Sequence, residues 1–382
     1  MAGLYIHIPF CVKRCIYCDF YSNTNMEYKE AYISAILREM EVRRDYLQGE
    51  KIKTIYLGGG TPSQLHPGEL ERILDGIYRL FPIYDNPEIT IEANPDDLSD
   101  SYVGLLKMLP VNRISIGVQS FDDKELSFLN RRHTSDEVIK AVLRCKEVGL
   151  TNISIDLIYG LPEQTTESWS NNVDKALALD VQHISAYSLT YENGTEIYKM
   201  REQKEINPVD DDLYEQFFRI LTKKLTDAGY VHYEISNFAK CTTSHPDGLI
   251  SLHNSSYWNG THYLGIGPSA HSYNGNCRSW NISSISEYIK ALNNSVVEFY
   301  ETEQLDEVAK YNDFIITRLR TMWGVSLSEL RQKFGEERER YFFEKSEPYI
   351  SLNKLKKQGG IVKVSPDNIL VSDAIMRELI AL

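Results

Sequence analysis

The chain has 382 residues and a net charge of −13, with 42% hydrophobic and 25% charged residues. This composition is typical of a globular protein. The acidic balance argues against nucleic acid as the main partner, because binding of phosphates needs clustered Lys and Arg. The sequence shows neither a signal peptide nor an apolar stretch of about 18 residues, so we expect a cytoplasmic protein with reduced cysteines.

Six short runs rich in β-branched residues alternate with amphipathic segments over the first half of the chain. The predicted strands are 4–8, 54–57, 88–92, 113–118, 152–157 and 183–188, and the predicted helices are 27–47, 67–80, 99–108, 134–148 and 166–179. Such alternation is typical of parallel βα units. The sixth strand ends too early for a complete eight-stranded barrel of about 250 residues, so we expect an α/β fold with a partial (β/α)6 barrel. A doubly wound sheet stays an alternative.

Three cysteines follow the first predicted strand. Cys11, Cys15 and Cys18 have the spacing Cys-x3-Cys-x2-Cys, and Pro9 disfavours a continuous helix through them. Thiolates suit zinc or iron–sulfur clusters, and a closed structural site normally takes four protein ligands. Three thiolates can hold three irons of a [4Fe–4S] cluster and leave the fourth iron open. A zinc site completed elsewhere and three buried apolar cysteines are the alternatives, but the spacing is unusual for zinc.

Polar residues follow the other predicted strands. The ends of strands two and three carry Gly58-Gly59-Gly60-Thr61-Pro62-Ser63 and Glu92-Ala93-Asn94-Pro95, while Gln119, Arg131 and Asp156 come at or after the next two. Taken alone, each of these residues can be explained as part of a turn, as a helix cap or as a surface charge. Because the carboxyl ends of barrel strands form one face, their joint placement predicts a shared pocket beside the cysteines.

The second half changes character. A helix is predicted at 210–228 and a strand at 230–239, followed by His253-Asn254-Ser255-Ser256-Tyr257-Trp258, with His262 and His271 beyond. From about residue 301 the pattern predicts helices at 308–322, 326–334 and 350–358, and a hairpin of 360–364 with 368–371. We expect three parts: the barrel with a sheet extension (1–240), a connecting segment (241–300) and a small, mostly helical, winged-helix-like domain (301–382). Its charges nearly cancel, which favours a lid or docking domain over DNA binding.

Five ordered motifs carry a resemblance to a known family. Tyr-x-His-Ile-Pro-Phe-Cys-x3-Cys-x-Tyr-Cys, Gly-Gly-Gly-Thr-Pro-Ser, Glu-x-Asn-Pro, Gly-Val-Gln-Ser-Phe and Ile-Asp-Leu-Ile-Tyr-Gly-Leu-Pro resemble the oxygen-independent coproporphyrinogen III oxidase (HemN-like) family of radical S-adenosylmethionine (SAM) proteins. The resemblance implies that Cys11, Cys15 and Cys18 bind a [4Fe–4S] cluster that receives electrons from a donor such as flavodoxin or ferredoxin. It implies a SAM site with these residues: Tyr5, Tyr17, Gly59, Gly60, Thr61, Glu92, Gln119, Arg131 and Asp156.

Two differences from the oxidases of this family restrict the resemblance to one group within it. Phe20 stands where the true oxidases carry a further cysteine, and the first strand begins almost at Met1, where they have an N-terminal extension. Both features, and the His-Asn-x-x-Tyr-Trp motif, are similar to the HemW-type haem chaperones. That similarity implies haem as cargo, His253 as a haem-site residue, and transfer of haem to an acceptor protein, for example at the membrane. The alternative is an oxidase that decarboxylates the propionates of coproporphyrinogen III in porphyrin biosynthesis.

Overall fold

A computed structural model describes residues 1–246, 248–294 and 298–381. The strands are β1 (Ala2–Ile8), β2 (Ile52–Gly59), β3 (Ile83–Ala93), β4 (Arg113–Gln119), β5 (Ile153–Tyr159), β6 (His183–Ser188), β7 (Tyr230–Glu234), β8 (Asn237–Lys240), β9 (His262–Ile266), β10 (His271–Tyr273), β11 (Cys277–Asn281), β12 (Tyr300–Gln304), β13 (Val325–Ser326), β14 (Leu355–Gln358) and β15 (Ile361–Val364). No helix in the described part of the chain is long and apolar enough to cross a membrane.

The helices lie mostly between these strands. They are α1 (Lys29–Val42), α2 (Pro67–Leu80), α3 (Asp100–Leu106), α4 (Asp123–Phe128), α5 (Ser135–Glu147), α6 (Thr166–Ala178), α7 (Glu196–Glu202), α8 (Asp211–Asp227), α9 (Leu252–Trp258), α10 (Ile285–Asn293), α11 (Glu307–Leu319), α12 (Leu327–Ser351) and α13 (Ser372–Leu379). Their starts follow local chemistry. Thr134, for example, caps α5 through a reciprocal pair of hydrogen bonds with Glu137.

The core of the fold is a parallel sheet in the order β1 to β6, with each strand bonded to the next in the chain. All six predicted strands are present, and the expected α/β class with a parallel core is confirmed. The short helix α4 was not predicted. In β5 nearly every residue is buried, as expected for a strand covered by helices. Within the described residues β1 pairs with β2 and β9 rather than β6, so the barrel stays open.

Both sides of the parallel core are extended. Next to β1 come β9, which is parallel to it, and then the antiparallel strands β10, β11 and β12. Next to β6 lie β8 and β7. The prediction of one strand over 230–239 is wrong in detail, because the chain turns after Glu234 and forms an antiparallel hairpin. Glu234 stabilises the turn by accepting a hydrogen bond from Ser236 N (3.2 Å).

A buried ion pair fixes the β9–β11 extension to α1. Glu39 on α1 and Arg43, the C-cap of α1, are 0% and 5% exposed, and their side chains lie 3.3 Å apart. The Glu39 carboxylate accepts hydrogen bonds from Gly267 N and Asn281 Nδ2, both at 2.8 Å. The Arg43 guanidinium donates to Ser279 Oγ at 3.0 Å. Such a pair is tolerated in the interior because its remaining donors and acceptors are satisfied.

Beyond residue 301 the structure corrects two predictions. The helix at 326–334 continues after a break at Gly335 as far as Ser351, and 350–358 is not a separate helix. Residues 355–358 form strand β14, which pairs with β15. The hairpin therefore consists of β14 and β15, and not of 360–364 with 368–371 as predicted. The physical reason is the Gly359-Gly360 turn, where both residues have positive φ, as a tight hairpin requires. Residues 366–371 instead form a 3-10 turn.

The C-terminal part has an apolar core of its own. Its buried residues begin at Tyr311 and end at Ala381, whereas those of the main core end at Phe299. The two parts meet at the edge strand β7, where Met322 N donates to Tyr233 O at 2.9 Å. These separate cores support a boundary near residue 301, and the division into 1–240, 241–300 and 301–382 stays a prediction.

Glu234, at this junction, should make stability depend on pH. Burial raises the pKa of its carboxyl to about 7 from an ordinary 4.5. The folded protein therefore binds this proton more tightly than the unfolded chain, and stability is lost as pH rises from about 4.5 to 7. We expect Glu234→Gln to be up to about 3 kcal/mol more stable than the parent above pH 7 and equal to it near pH 4. Urea unfolding across this pH range measures the difference.

The exposed Glu344→Gln on α12 is the matched control, and it should leave the pH profile of the parent unchanged. A Glu234→Gln profile parallel to that of the parent from pH 4 to 8 would contradict the prediction.

Candidate functional site

The cysteine loop (residues 11–18) leaves the carboxyl end of β1. Its base is closed by two backbone hydrogen bonds, from Cys11 N to Asn23 O (3.0 Å) and from Asn23 N to Pro9 O (2.6 Å). Burial raises the pKa of the Cys11 thiol, and it raises that of Cys18 to about 11. Negative charge on a neighbouring cysteine raises both pKa values further. In this environment the two thiols stay protonated near neutral pH unless a cation binds them.

The described side chains form no site for a single metal ion. Within residues 1–246, 248–294 and 298–381, no three His, Cys, Asp or Glu side chains are arranged to hold one ion. In a [4Fe–4S] cluster each thiolate binds a different iron, so three ligands stand around a cluster rather than converge on one atom.

Arg131 brings positive charge to the cysteines. Its Nη1 donates to Cys15 Sγ at 3.3 Å, while Nη2 donates to Asn94 Oδ1 and Gly117 O, both at 2.7 Å. Its buried Nε has no hydrogen-bond partner among the described residues. The guanidinium is therefore held in place by the ends of β3 and β4, and two of its five N–H donors, one of them on Nε, are left for a ligand. The two terminal nitrogens, which the sequence suggested for a bidentate grip on SAM, are engaged here.

Gly60 lets the end of β2 touch the cysteine loop. Gly60 N donates to Ile8 O at 2.8 Å, and a Cβ on Gly60 would lie 2.8 Å from the carbonyl carbon of Pro9. The next residue, Thr61, has its Oγ1 3.4 Å from Cys11 Sγ. The glycine run is thus required by a close backbone approach, and it brings Thr61 to the first cysteine.

Glu92 is a partly buried carboxylate near the end of β3. It accepts hydrogen bonds from Tyr56 OH at 2.7 Å and from Gly59 N at 3.0 Å. Burial, together with the nearby charge of Asp156, raises the pKa of Glu92 to about 7 in spite of these two donors. Near neutral pH the group can therefore hold or release a proton, and it has lone pairs left for ligand hydroxyls.

Asp156 and Gln119 come from the next two strands. Asp156 is partly buried on β5 and accepts a hydrogen bond from Ser115 Oγ at 3.3 Å, and desolvation raises its pKa. Gln119 ends β4 with φ of 66°, a left-handed conformation that non-glycine residues rarely adopt. It lies where the register between β4 and β5 shifts. Backbone strain of this kind is concentrated at ligand sites.

Tyr5 lies on β1 and Tyr17 lies within the cysteine loop. Tyr5 OH donates to His7 Nδ1 at 3.0 Å, because His7 Nε2 donates to the Tyr21 carbonyl at 2.9 Å. Tyr17 packs against the small apolar core of Leu129, Ile158 and Leu161. The nine predicted residues all lie in or after strands β1 to β5, and we name this set the barrel pocket: Tyr5, Tyr17, Gly59, Gly60, Thr61, Glu92, Gln119, Arg131 and Asp156. Their roles toward a cofactor stay predictions.

The sequence analysis missed two buried polar residues. His7 is 4% exposed, its ring would contact a Cβ on Gly59, and burial lowers its pKa to about 4. Arg113 is 2% exposed, and its positive charge lowers the pKa of Asp156 against the effect of burial. Both residues sit in otherwise apolar strands, where a polar residue is the only available signal.

His253 lies on helix α9, and its side chain contacts strand β2. Its Nδ1 is 2.8 Å from Thr54 Oγ1 and its Nε2 is 2.9 Å from Tyr257 OH. The ring stacks on Tyr56 with centroids 4.9 Å apart and is 1% exposed, and burial lowers its pKa to about 3. His253 is therefore a neutral imidazole with both nitrogens engaged. In this arrangement neither nitrogen is free to bind iron.

Two cavities adjoin α9 and share Tyr257 and Tyr263. The smaller, about 330 Å³, lies above the cysteine loop and includes Tyr5, His7 and Phe20 in its lining. The larger, about 550 Å³, lies between the β9–β11 extension and the C-terminal part. We name the larger the lateral cavity. Its lining residues are Tyr257, Trp258, Asn259, Gly260, His262, Tyr263, Tyr273, Gly275, Asn276, Arg278, Glu307, Lys310, Asp313, Phe314, Thr317, Arg318, Lys333 and Phe334.

Comparison with known proteins defines the class. Residues 5–176 match the radical SAM superfamily and residues 305–371 match the HemN C-terminal domain. The structure of coproporphyrinogen III oxidase (HemN) from Escherichia coli covers 100% of this chain and 90% of its own, with a TM-score of 0.85 and 22% identity. The fold is thus a radical SAM barrel with a C-terminal helical domain, as the sequence predicted.

The relatives define the family within that class. Heme chaperone HemW of Bacillus subtilis is 35% identical over 88% of this chain and 87% of its own length. Heme chaperone HemW of Mycobacterium tuberculosis is 30% identical over 99% of this chain and 94% of its own. The chain belongs to the HemW family of radical SAM proteins.

The contact at Gly60 can be tested by substitution. We expect Gly60→Ala to lower the free energy of unfolding by about 1–3 kcal/mol, because its Cβ would overlap the backbone of Ile8 and Pro9. Gly68→Ala is the control, since a Cβ there would make only an ordinary contact of 3.6 Å with His66. Urea unfolding followed by circular dichroism measures both. Equal stability of the two variants would contradict the proposed contact.

Proposed function

We propose that this protein is a haem chaperone that holds a [4Fe–4S] cluster and SAM in its barrel pocket, binds haem and passes it to an acceptor protein. The observation that carries the proposal is the likeness, over nearly the whole chain, to proteins named Heme chaperone HemW. Phe20 supports the proposal, because it stands at the sequence position where the oxidases carry a cysteine. Its side chain is 63% exposed and lines the smaller cavity.

Cys11, Cys15 and Cys18 would hold the cluster. The barrel places them on one loop, with Arg131 3.3 Å from Cys15 to offset the negative charge of the thiolates. When bound, the cluster would supply the electron that cleaves SAM reductively. The fourth iron position, left free by the protein, would face the pocket that contains Glu92.

SAM would occupy the polar floor of the barrel pocket. Glu92 and Asp156 are partly buried acceptors suited to ribose hydroxyls, and the glycines at the end of β2 allow close approach of a ligand to the backbone. The free Nε of Arg131 and the strained Gln119 add donors at the same face. Gln119, Gly59 and Tyr17 would therefore contact SAM rather than stabilise the fold alone.

The cargo and the protein partners follow from the same assignment. Haem would bind near α9, where His253 holds Tyr257 at the border of both cavities. The cysteine loop carries Val12, which is 50% exposed, and Phe20 follows it, giving an apolar surface near the cluster. An electron donor such as flavodoxin or ferredoxin would dock there. The acceptor of haem would be a haem protein, for example at the membrane.

Cysteine variants test the cluster. We expect the parent protein, reconstituted anaerobically, to be brown and to contain iron and sulfide, and Cys11→Ala, Cys15→Ala and Cys18→Ala each to lose this absorption. Cys145→Ala and Cys241→Ala are the controls, because both residues lie outside the loop and should keep it. A colourless parent protein that contains zinc would overturn the assignment.

Haem titration tests the proposed activity. We expect the reconstituted parent to give a Soret band that saturates with added haem, and to form no protoporphyrinogen from coproporphyrinogen III with SAM and a reductant. Absence of haem binding would refute the proposal. Formation of the decarboxylated product would favour an oxidase instead.

A further inference from the structure

The wall of the lateral cavity contains a histidine with a carboxylate partner, away from the barrel pocket. His262 begins β9 and forms part of the cavity wall. Its Nδ1 is 2.6 Å from Glu50 Oε1, and Glu50 Oε2 also accepts from the amino group of Met1 at 3.0 Å. A carboxylate on one ring nitrogen fixes the orientation and tautomer of a histidine and makes the other nitrogen a better ligand.

The other nitrogen of His262 is available. Within the described residues Nε2 takes part in no hydrogen bond, and it lies beside Gly275, where an added Cβ would be 2.8 Å away. Gly275 lines the same cavity, so Nε2 lies at the cavity wall rather than inside the protein. His253 differs in this respect, because both of its ring nitrogens make hydrogen bonds within the protein.

The walls of the cavity suit a flat aromatic ligand. Its aromatic lining residues are Tyr257, Trp258, Tyr263, Tyr273, Phe314 and Phe334. Tyr257 and Tyr263 meet edge to face with ring centroids 4.7 Å apart, which leaves ring faces for stacking. The volume of about 550 Å³ is within the range of cofactor sites. Burial raises the pKa of Tyr263 to about 12, so its phenol stays neutral and competes poorly with imidazole as a ligand.

Ion pairs engage all four cations of the cavity lining. Arg278 pairs with Asp313 and lies 3.6 Å from Glu303, Lys310 lies 3.0 Å from Glu307, and Glu329 lies 2.7 Å from Arg318 and 3.2 Å from Lys333. The buried Nε of Arg318 has no partner in the described structure. A carboxylate of a ligand would therefore meet a guanidinium that has a donor unused.

We propose that the lateral cavity is the haem site of this protein, with His262 Nε2 as the axial ligand of the iron and the Arg278 and Arg318 side chains facing the propionates. The proposal rests on the haem-binding function proposed above and identifies its site. His253 then acts indirectly, by holding Tyr257 in the cavity wall.

Spectra of His262 variants of the full-length protein, titrated with ferric haem, test the proposal. We expect His262→Ala to bind haem at least about tenfold more weakly and to shift the Soret band, and added imidazole to restore the band. His262→Gln retains a hydrogen-bond donor toward Glu50, so it separates loss of the ligand from loss of folding, and it should also lose the band. His253→Ala should keep the position of the band.

The controls separate this inference from the proposed function. His245→Ala removes an exposed histidine far from the cavity lining and should behave as the parent does. Haem dimethyl ester, which lacks the anionic propionates, should bind more weakly than haem. If the parent binds no haem, the proposed function fails. If the parent binds haem and both His262 variants retain its spectrum and affinity, the function stands and this site is wrong.

Discussion

The approach of β2 to the backbone that follows β1 is the constraint on which the barrel pocket depends. Gly60 donates a hydrogen bond to Ile8 O and leaves no room for a side chain, so the glycine run and the cysteine loop share one surface. From that contact follow the position of Thr61 beside Cys11 and the hydrogen bond of Gly59 with Glu92. A parallel pairing between neighbouring strands thus brings the cysteine loop close to the Glu92 carboxylate.

Helix α9 extends this geometry away from the barrel. Glu88 on β3 accepts hydrogen bonds from the backbone N–H groups of Leu252 and His253, at 3.0 and 2.8 Å. His253 is thereby fixed against Thr54, and Tyr257 is fixed at the border of both cavities. The motif that begins with His253 can thus be understood as a connector. It joins a pocket suited to SAM and a cluster to a cavity suited to a larger flat ligand.

Much of the fold could be predicted, and the limits have physical causes. The six parallel strands were visible because buried strands are apolar along their whole length, and the cysteine spacing is local. Strand β14 was mistaken for a helix because its Lys-rich sequence has little β character, and only the following Gly359-Gly360 turn indicated a hairpin. The barrel pocket could be proposed from the sequence because the carboxyl ends of parallel strands share a face. The lateral cavity was not, since β9 and α11, which both line it, are far apart in sequence.

The two ends of the 12-stranded sheet have a further consequence. An unpaired strand edge is a template for pairing with another chain, and a sheet this wide has two such edges. At β7 the chain near Thr321 forms a bridge with Glu234, so the C-terminal domain shields that rim. At β12 the rim carries exposed Glu301 and Glu303, whose like charges repel a second copy. The wide sheet can therefore stay open at both edges without edge-to-edge pairing between copies of the protein, which would build fibres.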